Sequence, residues 1–151
     1  MNTFTMERCS SLPQNKLFQL STDIENFHNI MPENFKSLEI IKENDYGKIV
    51  IEKINFLGIP LKIKTKHVIA KPNVHEIHIL SGPTKGTVFT ETYVPSGDGT
   101  IVSIEVKLIL SGFFRMFGFL EGYIKNKMSA TMDEFIICAE KFDDSLSPNQ
   151  N

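Results

Sequence analysis

Thr100–Phe135, TIVSIEVKLILSGFFRMFGFLEGYIKNKMSATMDEF, changes its hydrophobic period once, at Ser111-Gly112, and that change decides how the rest of the chain is read. Before it, Val102, Ile104, Val106, Leu108 and Leu110 alternate with Ser103, Glu105 and Lys107. That is the period of two expected of a strand with one buried face. After it, Phe113, Phe117, Leu120, Ile124, Met128, Thr131, Phe135 and Ala139 recur at helical spacing for about eight turns. The spacing predicts one long amphipathic helix near the carboxy end.

Upstream, from Phe35 to Leu110, the period of two is interrupted by turn residues at Asn44-Asp45, Leu57-Gly58, Pro72-Asn73, Ser81-Gly82-Pro83 and Ser96-Gly97-Asp98-Gly99. These divide the stretch into six strands joined by hairpins. The clearest is Ile59 to Ile69, with Ile59, Leu61, Ile63, Thr65, His67 and Ile69 on one face and Lys62, Lys64 and Lys66 on the other. A further strand is expected over Thr3–Cys9, with Phe4 and Met6 inward. It is followed by SLPQ, where Ser11 can cap a helix, Gln14 can answer it and Pro13 suits the first turn. Leu17, Phe18 and Leu20 mark a first short helix; Ile24, Phe27 and Ile30 mark a second, which begins near Asp23 and is stopped by Pro32. No internal repeat appears. A single domain over 1–142 and a disordered polar tail over 143–151 (DDSLSPNQN) are expected.

Composition narrows the function classes. The chain has 151 residues, 41% hydrophobic and 23% charged, as one globular domain requires. Sixteen Lys+Arg against eighteen Asp+Glu leave a net charge of −2, too balanced for the phosphate attraction that nucleic-acid binders use. The longest apolar stretch, Gly112 to Ile124, is broken by Arg115 and Glu121 and falls short of the roughly 20 residues of a membrane span. The amino terminus lacks the apolar run of a secretory signal, so a cytoplasmic location is expected. Cys9 and Cys138 imply no disulfide framework and read as small buried hydrophobes. Twelve Phe and no Trp suit an apolar core or a greasy cavity.

Strand, two short helices, six hairpin-linked strands and a long final helix is an order that resembles the SRPBCC superfamily. This is the START-like helix-grip group that includes polyketide cyclase/dehydrase and coenzyme Q-binding-like proteins. The likeness is carried by LSTDIENFHNIMPENFKSLEII (Leu20–Ile41), similar to that group's Asp-x-x-x-(aromatic)…Pro stretch, and by GDGTIVSIEVKLILSGFF running into EGYIKNKMSATMDEF. It covers Thr3 to about Phe142. The resemblance implies an α+β helix-grip fold: a seven-stranded curved antiparallel sheet wrapped around a long C-terminal helix, with two short helices after strand 1. It further implies a cavity between sheet and helix that holds a small hydrophobic molecule such as a lipid, an isoprenoid quinone or a polyketide-like aromatic.

On that reading Leu61, Ile63, Thr65, His67, Phe89, Tyr93, Ile104, Val106, Phe117, Leu120, Ile124 and Met128 are the candidate ligand-binding residues. His67 is either a satisfied interior histidine or a group that orients a ligand or exchanges its proton. Tyr93 and Glu91 share a face with Phe89, but Val88, Thr90, Thr92 and Val94 suit the interior equally, and Glu91 is expected in solvent. His75 and His78 form an H-x-x-H; three apart on a strand they point to opposite faces, so no metal site is expected. P-loop, dinucleotide and G-x-S-x-G motifs are missing, and no cofactor is implied. Phe113, Phe114, Met116 and Phe119 go round the start of the helix. They are covered by the two short helices or the adjoining loops, or else form an apolar patch suited to a membrane surface, ligand portal or dimer contact. The first functional reading is a carrier of a hydrophobic molecule. An aromatase/cyclase-like enzyme is the second, weakened because only His67 is firmly inward. A protein-interaction module with a vestigial cavity, using the Lys62, Lys64 and Lys66 stripe, is the third.

Overall fold

Hairpin turns bring successive strands side by side, and the sheet is their sum. In the computed structural model, which describes residues 2–56, 58–116 and 118–146, β1 (Asn2–Ser10) leads to α1 (Gln14–Thr22), a 3₁₀ turn (Ile24–Asn26) and α2 (Phe27–Ile30). Six strands follow: β2 (Phe35–Asn44), β3 (Gly47–Phe56), β4 (Ile59–Ala70), β5 (Val74–Ile79), β6 (Val88–Ser96) and β7 (Gly99–Leu108). A second 3₁₀ turn (Gly112–Met116) precedes α3 (Leu120–Leu146). The seven strands make one antiparallel sheet in the order β1-β7-β6-β5-β4-β3-β2. Register shifts between Phe35 and Ser37 and between Ile40 and Lys42 bend its β2 edge. This is the helix-grip architecture, with α3 held against the concave face.

The period-two reading of β4 and β7 matches the structure: Ile63, Thr65 and His67 are buried, as are Val102, Ile104, Val106 and Leu108, while Lys62, Lys64, Glu105 and Lys107 are exposed. Other expectations are corrected. The aromatic run does not belong to the long helix. Gly112 takes a left-handed φ of 60° that interrupts the chain direction. Beside it, Ser111 is tied down, its N–H donating to Pro83 O at 2.8 Å and its hydroxyl to Gly82 O at 2.9 Å. A 3₁₀ turn results, and α3 starts only at Leu120. Nor do the short helices cover Met116 and Phe119, which are 80% and 77% exposed. The side chains of Phe113 and Phe114, and Phe117 altogether, lie outside the described residues. At its other end α3 passes Asp143, which pairs with Lys16 at 3.0 Å, and continues to Leu146; the remainder of the expected tail, 147–151, is not described. Cys9 is exposed, because alternation along β1 puts it on the outer face with Thr5 and Glu7. Ser11 does not cap α1: its N–H donates to Glu140 Oε1 at 2.9 Å instead.

That bond belongs to a polar strap that ties α3 to the edge strand β1. Arg8 donates to Asp133 Oδ1 at 2.5 Å and to Ser129 Oγ at 2.6 Å, and the Ser10 hydroxyl donates to Glu140 Oε1 at 2.9 Å. Gly99, the first residue of β7, fits because a Cβ there would collide with Ser10 O. Beneath the strap, Ile124, Met132, Phe135 and Ala139 pack with Phe4, Val102, Val106 and Leu108. The short helices close the near end. Phe18 meets Tyr93 edge-on with centroids 5.4 Å apart, and Phe27 bridges Phe35 and Phe135 at 5.1 and 5.8 Å. α3 therefore lies over β1 and against α2, leaving the curved middle of the sheet for something else to fill.

Two predictions concern this scaffold. The Ser11 N–H holds the Glu140 carboxyl below its ordinary value, helped by the Ser10 and Ser11 hydroxyls against some desolvation. A depressed folded-state value stabilises the fold above the unfolded carboxyl's range, about 4.3, and that contribution is lost as the pH falls through the folded value. Glu140→Gln is expected to lower Tm at neutral pH, and its deficit against the parent to close in acid, as thermal melts across pH will show. For Tyr93, burial first and the Glu91 charge second push the phenol well above its ordinary value. The unfolded chain ionises near 10 and the folded one does not, so this contribution is complete below about 10 and fades as the pH rises further. Tyr93→Phe is expected to cost about 1 kcal/mol at neutral pH, the scale of one hydrogen bond. Urea unfolding should show that difference shrinking above pH of about 10.

Candidate functional site

The space between the middle of the sheet and α3 is a cavity of 420 Å³. Its walls are mostly apolar: Ile63 from β4, Ile77 and Ile79 from β5, Phe89 from β6, Ile104 from β7, Ile124, Met128 and Phe135 from α3, and Phe27 and Met31 from the short-helix end. Across the sheet runs one polar stripe, formed by Glu52, Thr65, His67, His75 and Glu91. Strand register explains the stripe. Glu52 pairs with Ile63, and Val50 with Thr65, so the inward face of β4 extends onto β3. His67 pairs with Ile77, and His75 lies directly opposite Glu91, which carries the same face through β5 to β6.

The stripe is continuously bonded. Thr65 donates its hydroxyl to Glu52 Oε2 in a very short contact. His67 Nε2 lies 3.1 Å from Glu52 Oε2, and its Nδ1 lies 2.9 Å from His75 Nε2. On the far side His75 Nδ1 is 3.1 Å from Glu91 Oε1, which also accepts the Tyr93 hydroxyl at 3.0 Å. The two imidazoles stack at 5.1 Å between centroids. Glu52 is only 4% exposed and His75 2%, whereas the Glu91 side chain keeps 16% and is the most open of the four ionisable groups. Buried ionisable groups are tolerated only with such bonds. Chemically the stripe can accept, donate and relay protons at the surface of an apolar chamber.

Of the residues singled out from sequence, Ile63, Thr65, His67, Phe89, Ile104, Ile124 and Met128 line the cavity. Leu61, Tyr93, Val106 and Leu120 are not on its wall. Tyr93 and Val106 are fully buried in the core, Val106 pairing with Phe4 and Tyr93 sitting behind Glu91 with its hydroxyl turned toward it. Leu61 lies at the half-exposed start of β4, and Leu120 is the first residue of α3, packed on the core's rim. Glu91 does not face solvent as expected: β6 is turned with Phe89, Glu91 and Tyr93 inward, and Val94 is exposed on the outer face. His75 and His78 do diverge, His75 inward and His78 half-exposed beside Glu76. Sequence reasoning passed over Glu52 and the inward role of His75. The hairpin register about Gly58 was the available signal for Glu52, because it sets that residue opposite the buried Ile63.

No protein-family model and no curated protein sequence matches the chain, but solved structures do. A Thermus thermophilus protein superimposes with a TM-score of 0.80 at 17% identity, covering 97% of this chain and 100% of its own. A START superfamily protein from Mycobacterium smegmatis gives 0.79 at 13% identity over 96% and 99%. A Streptomyces aromatase/cyclase gives 0.74 at 11% identity over 93% and 94%. At such identities the likeness is one of backbone, and what these structures share with this chain is the helix-grip fold, a curved antiparallel sheet around a long C-terminal helix.

Proposed function

We propose that the chain binds a small, predominantly hydrophobic molecule, such as a lipid, an isoprenoid quinone or a polyketide-like aromatic, in the cavity between sheet and α3. One observation carries this reading: 420 Å³ of space with mostly apolar walls, crossed by a bonded polar stripe, within the range of about 300–1,000 Å³ common to small-molecule sites. Water finds few partners on such walls. A hydrophobic occupant with one polar end satisfies both surfaces. The same proposal places the protein in the cytoplasm, in keeping with two unpaired cysteines. It gives the exposed Met116 and Phe119 to a membrane or partner contact during loading. No described helix is long and apolar enough to cross a membrane.

A second reading has its own support. An aromatase/cyclase-like enzyme needs at least two polar groups converging on its substrate, and Glu52, His67, His75 and Glu91 all reach the cavity wall. Acid/base chemistry on a bound hydrophobic substrate is therefore the alternative.

Native mass spectrometry of the gently purified protein, followed by solvent extraction, tests the first reading. A stoichiometric hydrophobic molecule is the expected result. Ile63→Phe, which sends a ring into the cavity, is expected to weaken binding of that molecule roughly tenfold or more with Tm held or raised. An empty spectrum together with no thermal stabilisation by quinones, fatty acids or polyphenols overturns the carrier. If the released molecule is turned over, His67→Asn should slow the reaction by about 10²–10⁴ while binding persists, as expected for a general acid/base group.

A further inference from the structure

The proton arrangement of the polar stripe narrows the ligand. Three close contacts join Glu52, His67, His75 and Glu91 in series: carboxylate to imidazole, imidazole to imidazole, imidazole to carboxylate. An ionised carboxylate only accepts, and a neutral imidazole has one N–H and one bare nitrogen. Were both imidazoles neutral and both carboxylates ionised, two protons would have to serve three contacts. If each N–H points to its own glutamate, the bare nitrogens of His67 and His75 face one another at 2.9 Å and repel. A third proton removes the conflict wherever it sits, on either histidine or either glutamate. In every such arrangement the four groups together carry one negative charge. Thr65 and Tyr93 add donors to the two ends but no positive charge.

Among the described residues no lysine or arginine forms an ion pair with the stripe. Among the cavity-lining residues the permanent cation is Lys127. It is exposed, with its ammonium 5.6 Å from the Tyr123 ring centroid. Lys62 and Lys64 are on the outer face of β4. Among the described residues Glu91 Oε1 takes both the His75 and Tyr93 bonds, and Oε2 takes none. Glu91 is also the most open member of the stripe. An acceptor oxygen with a spare lone pair, attached to a net negative array in an apolar chamber, selects its complement.

We infer that the cavity takes hydrophobic molecules whose polar end is a hydrogen-bond donor, hydroxyl or ammonium, received by Glu91 Oε2, and that it rejects those ending in an anion. The inference rests on the proposed ligand-binding reading and specifies it. A hydroxyl or ammonium donates to the carboxylate; a carboxylate, sulfate or phosphate head would bring like charge to the same desolvated wall, where little water screens it. A quinone, with acceptors only, leaves Oε2 unanswered.

Matched fluorescent probes test this in the intact protein. Methylnaphthalene, naphthalenemethanol, naphthylmethylamine and naphthoate share one apolar body and differ at one polar group. At neutral pH the alcohol and the amine are expected to bind at least about tenfold more tightly than naphthoate, and more tightly than methylnaphthalene, as a hydrogen bond to a charged group would give. Glu91→Gln keeps the shape but replaces the carboxylate with a neutral amide which, with its oxygen held by His75 and Tyr93, turns an N–H toward the ligand, so the amine should lose most of its advantage and naphthoate should gain. The parent series is decisive even if that variant folds poorly. Naphthoate binding as tightly as the alcohol, or methylnaphthalene equalling both donors, overturns the inference while leaving a hydrophobic site standing. Failure of all four probes overturns the site as well.

Discussion

A carboxylate as enclosed as Glu52 has to be bonded, and the inner face of the sheet is built around that requirement. Desolvating an isolated carboxylate costs several kcal/mol even after the protein relaxes. The bonds available come from Thr65 and His67, its neighbours across β3 and β4. Satisfying Glu52 commits one nitrogen of His67, the other nitrogen then needs a partner, and His75 supplies it. The requirement passes to Glu91 and ends at Tyr93, whose hydroxyl is fixed by core packing against Phe18. Each member makes the next necessary. Removing a middle member would leave a charged or polar group buried without a partner, which costs more than the lost bond itself.

The same sheet could have been filled by its helix, and the reason it is not lies at one edge. The links of Arg8 and Ser10 to Asp133, Ser129 and Glu140 all join α3 to β1, the strand at the end of the sheet's order. A helix held over an edge strand cannot also lie in the trough of a curved sheet. The apolar contacts of Ile124, Phe135 and Ala139 seal the β1–β7 side, and the β3–β6 side is left facing space. Cavity and polar stripe thus have separate causes, helix tethering and strand register, and they coincide because the stripe crosses the uncovered part.

Much of this was legible before any coordinates. The alternation in β4 put Thr65 and His67 inward, and the change of period at Ser111-Gly112 announced the sheet-to-helix order. What escaped reading lay at three places. On β3 both faces carry isoleucine, Ile49 and Ile51 on one side and Val50 and Ile54 on the other, so Glu52 had no face until pairing with β4 assigned one. On β6 the facing was ambiguous for the same reason, and a glutamate by itself suggests solvent; only His75 opposite and Tyr93 behind make Glu91 an interior residue. The aromatic run failed differently. Helical spacing survives in Gly112–Leu120, but a left-handed glycine and the anchoring of Ser111 to the Gly82–Pro83 turn are tertiary facts that periodicity does not encode.

The readings of Glu52 and Glu91 concern one question, how much polar chemistry faces the cavity, and the answer bears on what the occupant experiences. A purely apolar chamber holds a molecule by area and releases it by the same measure, with little preference for orientation. Here one wall has direction. It offers bonded acceptors and donors at fixed positions on β3, β4, β5 and β6, held by backbone register and not by loops, while the opposite wall, on α3, is mostly isoleucine, methionine and phenylalanine, with Lys127 and Thr131 among them. Methionine side chains adapt to the shape laid against them, and a bonded stripe does not. The polar end of an occupant is therefore specified more strictly than its body. Carriage and acid/base chemistry are consequently two uses of one arrangement: they share the oriented complex, and differ only in whether a proton moves once it has formed.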